Sequence, residues 1–594
     1  MLSTHTRSVL GTALALTLTL IACSPTNDTI TTVTIDSVTI DGGDRTILLG
    51  TPLTLTATIT TTGNADDTIT WTSSDVDVAT IDATGTVTTL TTGTTLITAT
   101  STTDPTKHDT ITLTITETNA VLSVTIDGGD RSLALGRALT LTASVEITGS
   151  TDDGVTWTSS DEAVATIDAA GTVTSLTAGT TLITATSTTD PTMNDSITLT
   201  VDPPGVLVWT RQFGTSNSDL AYGIATDTTG NVYTTGWTEG ALEGDNAGNA
   251  DVFIRSYDSD GNTRWTHQFG TDDLDAANGI ATDTNGNVYV TGYTLGALAG
   301  DNAGDFDAFI RSYDGDGNLR WTHQFGTTAI DFATSVATDV NGNVYVAGST
   351  SGDLEGTNAG SDDVFIRSYD SDGTLRWTRQ FGTDTSDFAN GVAIDANGNV
   401  YVTGRTFGAL AGPITGTVDA FVRSYDSNGD LRWTRQFGTD DLDVTNGIAT
   451  DTNANVYVVG RTGALAGPDA GSPNAFIRSY DSDGNLRWTH PFGTGSFDDA
   501  AGVATDVHGN VYASGSTEGA LAGDNAGGAD AFIRSYDSDG NLRWTRQFGT
   551  SSEDVAVGVA TDTNGNVYTT GYTSGALVGE NAGDHDAFIR KYGP

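Results

Sequence analysis

The sequence predicts an all-β protein that is built from two kinds of internal repeat. One unit occurs twice: the motif TIDGGDR begins at Thr39 and returns 86 residues later at Thr125. A second unit occurs seven times after residue 206, marked by tryptophans that recur every 56 residues with a single interval of 55. The first unit alternates apolar and polar residues with period two between polar turns, which is typical of strands. The second unit shows four short strands separated by turn signals and no helical periodicity.

The charge balance narrows the classes of partner. The 594 residues include 25 basic and 75 acidic side chains, which gives a formal net charge of −50. Such a chain repels phosphate backbones, so the sequence argues against a nucleic acid as partner. A chain of this length also exceeds what one core can organise, so we expect several domains in a monomeric protein.

The N-terminal segment predicts export. Arg7 precedes an apolar run over 9–22, which is shorter than the roughly 20 residues of a spanning helix and is typical of a secretory signal peptide over 1–22. The run ends in LIAC, where Cys23 is the single cysteine. This stretch resembles the lipobox of bacterial lipoproteins, which implies a lipid on Cys23 and anchorage at the outer membrane or cell surface. An ordinary secretory signal with an incidental cysteine is the alternative.

Two similar domains, 33–117 and 121–201, follow a linker over 23–32. Each has one tryptophan, Trp71 or Trp157, which we expect in the core of a β-sandwich. The stretches VTIDGGDRSLALGRALTLTASV and VTWTSSDEAVATIDAAGTVTSLTAGTTLITATS resemble the bacterial Ig-like (BIG) family. The resemblance implies spacer modules of a surface protein, or adhesin modules that bind host ligands or carbohydrate.

Residues 206–594 carry seven copies of a four-strand pattern, exemplified by GIATD, NVYVTG, DAFIRSY and NLRWTRQF. Asn-Gly and Asp-Gly turns between them supply the positive φ that hairpins need. A four-strand repeat of this length predicts one blade of a β-propeller, so seven copies predict seven blades. The stretches DAFIRSYDSDGNLRWTRQFGT and IATDTNGNVYVTGYT resemble the bacterial β-propeller repeat family, which implies a surface or secreted protein with no general enzymatic activity.

The two ends of this region complement each other. The seventh copy stops at DAFIRKYGP and lacks its fourth segment, whereas VLVWTRQFGT over 206–215 is a fourth segment with no third one before it. The sequence therefore predicts that these segments pair and close the ring, which leaves no large unpaired sheet edge.

The turn after the third segment carries carboxylates two residues apart, a feature of calcium loops. The calcium candidates are Asp258, Asp260, Asp314, Asp316, Asp537 and Asp539. A calcium loop also needs oxygen ligands further along, where an Arg-Trp pair follows instead, so a hairpin turn explains the motif better and we expect no cofactor.

An aspartate opens the first segment of every copy. These residues are Asp219, Asp275, Asp331, Asp387, Asp443, Asp498 and Asp554. We expect them to accept hydrogen bonds from backbone amides at a blade corner. A ring of carboxylates that holds a divalent cation at one mouth of the channel is the alternative.

No catalytic set is evident in the repeats. His267, His323 and His490 occupy the position of an arginine in other copies, so we expect interchangeable surface residues there. A catalytic triad needs different residues in different roles, whereas near-identical blades repeat the same residue. The sequence therefore disfavours an enzyme.

The copies differ most clearly after the glycine of the second segment. The aromatic residues and arginines at this position form a candidate ligand face: Trp237, Tyr293, Arg405, Arg461 and Tyr572. Such side chains are typical of recognition surfaces, although drift among redundant blades would produce the same differences.

These observations together predict an exported, lipid-anchored protein. An Ig-like stalk would display a propeller that acts in binding, adhesion or scaffolding, with a glycan or a surface protein as partner. A propeller-type polysaccharide hydrolase or lyase and a structural envelope protein are the alternatives, because architecture does not decide function.

Overall fold

The computed structural model describes residues 33–63, 68–117, 120–148, 154–463 and 474–594. The expected signal peptide, Cys23 and the linker lie outside these residues. The described residues form strands and no helix, so no helix in this part of the chain could cross a bilayer.

The first N-terminal repeat forms nine strands. They are β1 (Thr34–Ile40), β2 (Arg45–Leu48), β3 (Leu53–Thr54), β4 (Ala57–Thr62), β5 (Ile69–Ser73), β6 (Ala79–Ile81), β7 (Thr86–Thr89), β8 (Gly93–Ser101) and β9 (His108–Thr116). A four-stranded sheet has the order β2-β9-β8-β5, a three-stranded sheet has the order β3-β7-β6, and β1 pairs with β4. The β2–β9 pair is parallel and the others are antiparallel.

The second repeat reproduces this topology strand for strand. Its strands are β10 (Ala120–Ile126), β11 (Arg131–Ala134), β12 (Ala138–Thr140), β13 (Ala143–Thr148), β14 (Val155–Ser159), β15 (Ala165–Ile167), β16 (Thr172–Ser175), β17 (Gly179–Ser187) and β18 (Asn194–Asp202). The sheets have the orders β11-β18-β17-β14 and β12-β16-β15, with the pair β10–β13. Equal strand pairings follow from the near-identical alternation in the two repeats.

Alternation places every second residue of these strands in a core. In β8 and β9, Ile97, Leu113 and Ile115 are buried, while the threonines between them face outward or lie half-buried. We expected Trp71 in the core, but it is only partly buried against this cluster, because it lies on the edge strand β5. Trp157 takes the same position on β14.

The C-terminal half begins with β19 (Leu207–Phe213) and continues as six successive groups of four strands and one group of three. The first three groups are β20 (Asp219–Thr226), β21 (Val232–Thr238), β22 (Asp251–Tyr257), β23 (Thr263–Phe269); β24 (Asp275–Thr282), β25 (Val288–Thr294), β26 (Asp307–Tyr313), β27 (Leu319–Phe325); and β28 (Asp331–Thr338), β29 (Val344–Thr350), β30 (Asp363–Tyr369), β31 (Leu375–Phe381). The next three are β32 (Asp387–Ile394), β33 (Val400–Thr406), β34 (Asp419–Tyr425), β35 (Leu431–Phe437); β36 (Val444–Thr450), β37 (Val456–Thr462), β38 (Asn474–Tyr480), β39 (Leu486–Phe492); and β40 (Asp498–Thr505), β41 (Val511–Thr517), β42 (Asp530–Tyr536), β43 (Leu542–Phe548). The last is β44 (Asp554–Thr561), β45 (Val567–Thr573) and β46 (Asp586–Tyr592).

Each group of four forms one antiparallel sheet in sequence order, and we number these sheets one to six along the chain. In sheet seven, β19 completes the group of three in the order β44-β45-β46-β19. The register joins Phe213 to Ala587 and Arg211 to Ile589. The first strand of the region thus pairs with the last one.

The second and third strands of each sheet are buried on both faces because sheets pack face to face. In β26, DAFIRSY, all residues but the arginine are buried. A tryptophan of each fourth strand lies at the boundary between two sheets: the Trp321 ring centroid is 5.9 Å from Tyr289 of its own sheet and 6.2 Å from Tyr369 of the next sheet. Trp209 of sheet seven contacts Tyr257 of sheet one in the same way, at 6.5 Å.

The Arg and His position of the fourth strand is also part of this boundary. Arg379 donates from Nε to the Gly429 carbonyl of the next sheet at 2.7 Å, and His267 Nε2 lies 2.8 Å from the Gly317 carbonyl. Both side chains are half-buried. The expectation that this position is merely a surface position is therefore wrong, since either side chain bonds the turn of the neighbouring sheet.

Candidate binding site at the channel mouth

A β-bulge interrupts the first strand of every sheet in the C-terminal half. In β20 the register shifts between Ala221 and Gly223, so Tyr222 has no partner on β21. A bulge redirects the side chain of the extra residue. Here the bulge residues of all seven sheets line a central cavity of about 450 Å³. We call the end of this cavity that is nearest the bulges the channel mouth.

Four polar bulge residues bond the neighbouring sheet: Asn278, Thr334, Asn390 and Asn446. Asn278 Nδ2 donates to Ala333 O at 2.9 Å, and Asn390 Nδ2 donates to Thr445 O at 2.7 Å. Asn446 Nδ2 donates to Ala500 O of sheet six at 3.0 Å. These bonds join neighbouring sheets at the wall of the cavity, and Tyr222, Ala501 and Val557 occupy the other bulge positions.

Arg405 is the residue before the last one of β33 and lines the cavity. Its guanidinium carbon lies 4.5 Å from the Phe388 ring centroid, which covers one face of the group. Burial lowers the pKa of Arg405, and the nearby Arg461 lowers it further. Within the described ranges its guanidinium has no hydrogen bond or ion pair, and the Asp362 carboxylate acts on its pKa in the opposite direction from burial, without direct contact.

Arg461 differs from Arg405 because it has a partner. Its Nη1 lies 3.2 Å from Asp499 Oδ2 of the next sheet, and Asn446 Nδ2 donates to Asp499 Oδ1 at 2.8 Å. Burial raises the pKa of Asp499 to about 6, although Arg461 acts in the opposite direction. Asp499 also lines the cavity, so one carboxyl group that titrates near neutrality faces this space.

Aromatic side chains of sheets seven, one and two gather around Tyr222. Trp237 Nε1 donates to the Tyr222 hydroxyl at 3.4 Å. Burial, with a smaller effect of the Tyr222 phenol, raises the pKa of Tyr293. Burial, Glu553 and Tyr222 raise that of Tyr572 to about 12. The five rim residues expected from the sequence therefore divide into an aromatic group and an arginine group.

Comparison with known protein families separates the two N-terminal repeats from the C-terminal repeats, as the fold does. Residues 34–111 and 120–201 match the profile of the bacterial Ig-like domain (group 2). Six segments match the profile of a β-propeller repeat: 208–242, 264–298, 320–355, 376–409, 432–465 and 543–577. The chain carries two bacterial Ig-like domains and six β-propeller repeats. The expected Ig-like family and propeller-repeat family are thus both confirmed.

Two relatives align with this chain over only a small part of their own length. The regulatory protein FlaEY of Caulobacter vibrioides is 27% identical over 210 residues, which is 31% of this chain and 22% of the relative. A 3-O-α-D-galactosyl-α-L-arabinofuranosidase of Bifidobacterium longum is 44% identical over 89 residues, which is 14% of this chain and 8% of that enzyme. The chain therefore spans less than a quarter of either relative.

Solved structures resemble the chain only distantly. The polysaccharide lyase Uly1 aligns with a TM-score of 0.39 at 12% identity, over 64% of this chain and 91% of the lyase. The WD40 domain of Neurospora crassa Pan2 aligns with a TM-score of 0.37 at 11% identity, over 62% and 88%. Likenesses at this level carry no functional argument.

Sequence reasoning missed Tyr222 and Asp499 in the propeller repeats. A signal was present, because the second residue of the first strand is apolar in six copies and a carboxylate once. The residues at this position are Leu220, Ala276, Phe332, Phe388, Val444, Asp499 and Val555. Comparison of each repeat position across the copies would have identified Asp499. The bulge that aims Tyr222 at the cavity leaves no such trace in period-two alternation.

The calcium candidates form hairpin turns. Asp258 Oδ1 accepts from the backbone N–H groups of Asp260 and Asn262 at 3.0 and 2.8 Å, and its Oδ2 accepts from Asn262 Nδ2 at 2.9 Å. Asp314 and Asp537 make the same three bonds. These bonds lower the pKa of Asp258, and the hydrogen bond from the Asn262 side chain has the largest effect. In the described ranges no three His, Cys, Asp or Glu residues are grouped as metal ligands.

The second aspartate of each turn points to the neighbouring sheet or to solvent. Asp316 Oδ1 lies 3.6 Å from Arg264 Nη2, and Asp539 Oδ1 lies 3.7 Å from Arg487 Nη2. Exposed pairs of this kind add little stability. The geometry thus assigns the motif to turn formation and contact between sheets.

The aspartates that open the first segments lie at corners, as the sequence suggests. Asp219 Oδ2 accepts from the Thr215 backbone N–H at 2.5 Å and from the Thr215 hydroxyl at 3.0 Å. Burial raises the pKa of Asp219. None of the seven aspartates is among the described residues that line the cavity at the channel mouth, so the alternative ring of carboxylates does not form there.

Proposed function

We propose that the chain is an exported, lipid-anchored surface protein in which two Ig-like domains display a closed, seven-bladed propeller with a ligand site at the channel mouth. One observation carries the proposal: residues that differ between otherwise similar repeats converge there. Tyr222, Arg405 and Asp499 come from three different sheets and line one cavity. Redundant drift would scatter such differences over the surface, whereas a binding site requires them in one place.

Pairing of the first and last strands supports closure of the ring. β20 is the first strand of sheet one, and it contacts both β24 of sheet two and β44 of sheet seven. The Thr226 hydroxyl donates to Thr561 O of sheet seven at 2.7 Å, as the Thr282 hydroxyl donates to Thr226 O at 2.7 Å. The boundary between the last and first sheets therefore uses the same contacts as the internal boundaries, which is the condition for a closed propeller.

The position of the Ig-like domains favours display of the channel mouth. Arg137 of the second Ig-like domain donates from Nη2 to Asn564 O at 2.6 Å and also contacts His508. Both contacts lie in turns that follow the first strands of sheets six and seven. This end of the first strands is opposite the channel mouth, so the Ig-like side leaves the mouth uncovered.

Export and lipidation depend on Cys23 and are tested directly. The full chain is produced in a bacterial host with radiolabelled palmitate, beside Cys23→Ala. Label in the wild type that is absent from the variant supports the anchor, whereas equal labelling or none in either protein contradicts it. Removal of the propeller by protease added to intact cells tests surface exposure.

A rim substitution tests the binding role. We expect Trp237→Ala to abolish binding of the labelled full chain to a glycan array at an unchanged melting temperature, because Trp237 has the largest side chain of the five rim residues and bonds the hydroxyl of Tyr222, which lines the cavity. Val340→Ala is the matched control, since Val340 is 64% exposed and lies in a turn at the opposite end of the propeller. Equal binding by wild type and Trp237→Ala contradicts a site at the mouth. No ligand from the glycan array or from a panel of surface proteins would favour a structural envelope protein.

An enzyme that acts on polysaccharide is the second candidate function. Asp499 favours it, because burial raises its pKa to about 6, a value that suits a general acid. Glycoside hydrolysis ordinarily needs two carboxylates across the scissile bond. Asp499 is the one carboxylate among the described residues that line the cavity, which favours binding over hydrolysis. Turnover of any polysaccharide that Asp499→Asn abolishes would reverse this preference.

A further inference from the structure

The channel mouth contains one arginine, Arg405, that no described residue contacts through an ion pair, although Asp362 acts on it electrostatically. Arg405 lines the cavity, and its guanidinium makes no hydrogen bond or ion pair within the described part of the chain. Phe388 covers one face of the group, at 4.5 Å. A guanidinium has five N–H donors in a planar fork, and a half-buried one without acceptors loses hydration without compensation. An anion in the cavity would supply the missing acceptors.

We propose that this cavity binds a sugar acid, a sugar ring that bears one carboxylate, and that the carboxylate lies on Arg405. Arginine and carboxylate match in shape and form two parallel hydrogen bonds. This inference rests on the proposed function, because it requires the closed ring in which sheet one lies across the cavity from sheet four.

A single negative charge fits the site better than a phosphate. Arg461, the other arginine of the rim, is already paired with Asp499 at 3.2 Å. The Asp499 carboxyl group lines the same cavity, and the whole chain has a net charge of −50. A dianion would therefore meet one free cation in otherwise negative surroundings, and the repulsion would oppose its binding.

The opposite wall suits the ring of the sugar. In a ring of seven sheets, sheet one lies three positions from sheet four, so Tyr222 faces Arg405 across the cavity, and Trp237 supports Tyr222 by donating to its hydroxyl at 3.4 Å. The Tyr222 ring provides an apolar surface for the C–H groups of a sugar, and the Tyr222 hydroxyl provides a polar group for the sugar hydroxyls. The cavity of about 450 Å³ falls within the usual size of small-molecule sites, about 300 to 1,000 Å³.

Calorimetric titration of the full chain tests the inference with four probes. Sodium glucuronate and sodium galacturonate are sugar acids, glucose is the uncharged match, and glucose 6-phosphate is the dianion. We expect at least one sugar acid to bind at least tenfold more tightly than glucose and more tightly than glucose 6-phosphate. Arg405→Gln is expected to weaken that binding at least tenfold. Arg435→Gln is the matched control, because Arg435 lies on the outer strand of the same sheet and bonds Gly484 O.

Several results would overturn the inference. They are equal binding of glucose, tighter binding of glucose 6-phosphate, and wild-type affinity in folded Arg405→Gln. The inference is also overturned if no sugar acid binds the folded wild-type chain. That result does not bear on closure of the ring, which the Thr226 variant described below tests separately. If Arg405→Gln does not fold, Arg405→Lys replaces it. Lysine keeps the charge and loses the planar fork, so a several-fold loss is expected and unchanged affinity contradicts the proposal.

Discussion

Arg461 of sheet five and Asp499 of sheet six form an ion pair across a sheet boundary, with Nη1 and Oδ2 3.2 Å apart. No other boundary has an acid at the position of Asp499. The pair holds one arginine of the rim in place and leaves Arg405 as the cation that is open to a ligand. Because the pKa of the Asp499 carboxyl group is raised, we also expect the pair to respond to pH.

The pair predicts a pH-dependent effect of Asp499→Asn. The pKa of Asp499 is raised from 3.8 to about 6, so between these values the folded protein binds more protons than the unfolded chain. The contribution of Asp499 to stability therefore decreases as pH rises from about 4 to about 6. The free energy of unfolding of Asp499→Asn, relative to wild type, should rise across this window and then stay level. Urea unfolding at four pH values measures this difference, and the exposed Asp260→Asn serves as control. A difference that does not change with pH would contradict the raised pKa.

Thr226→Val tests whether the ring is closed. The Thr226 hydroxyl bonds Thr561 O between sheets seven and one at 2.7 Å, and the Thr450 hydroxyl bonds Ile394 O between sheets four and five at 2.8 Å. Each bond should contribute about 1 kcal/mol. We expect Thr226→Val and Thr450→Val to lower the free energy of unfolding by similar amounts in denaturant titrations. A cost at Thr450 alone would show that sheets seven and one are not joined.

Ala454→Gly should stabilise the protein. Ala454 has φ of 62° in a turn where the other sheets have glycine, for example Gly398 with φ of 80°. An L-residue in this region costs roughly 1 to 2 kcal/mol, which glycine avoids. A rise in melting temperature for Ala454→Gly and a fall for the reciprocal Gly398→Ala are expected in calorimetry. A fall for both would mean that the turn of sheet five differs from the others.

Asp258→Ala should lower stability equally with and without calcium. Its carboxylate accepts three hydrogen bonds within its own turn, and their loss should cost about 1 to 2 kcal/mol. Melting temperatures in calcium, with magnesium as the ionic control, measure the effect. A calcium-specific rise in wild type that disappears in Asp258→Ala would restore this turn as a metal site.

Most strands could be predicted because their patterns are local. The Asn-Gly and Asp-Gly turns, the alternation in β8 and the apolar run of β26 each depend on residues that are close in sequence. The Arg and His position of the fourth strand was misinterpreted for the opposite reason. Its partner is the turn of the next sheet, about 50 residues along the chain for Arg379 and Gly429, and no local pattern reveals that contact.

The order of the strands, the two kinds of repeat and the matching deficits at the ends of the repeat region are properties that the amino-acid sequence determined by itself. Alternation and turn chemistry act between neighbours in the chain, so a linear reading is sufficient for them. The gathering of Tyr222, Arg405 and Asp499 was decided only by the tertiary structure. These residues are separated by more than a hundred and eighty positions in one case and more than ninety in the other. They meet because the bulge of β20, the start of β40 and the end of β33 lie at the same level of one cavity, and packing of sheet on sheet sets that level.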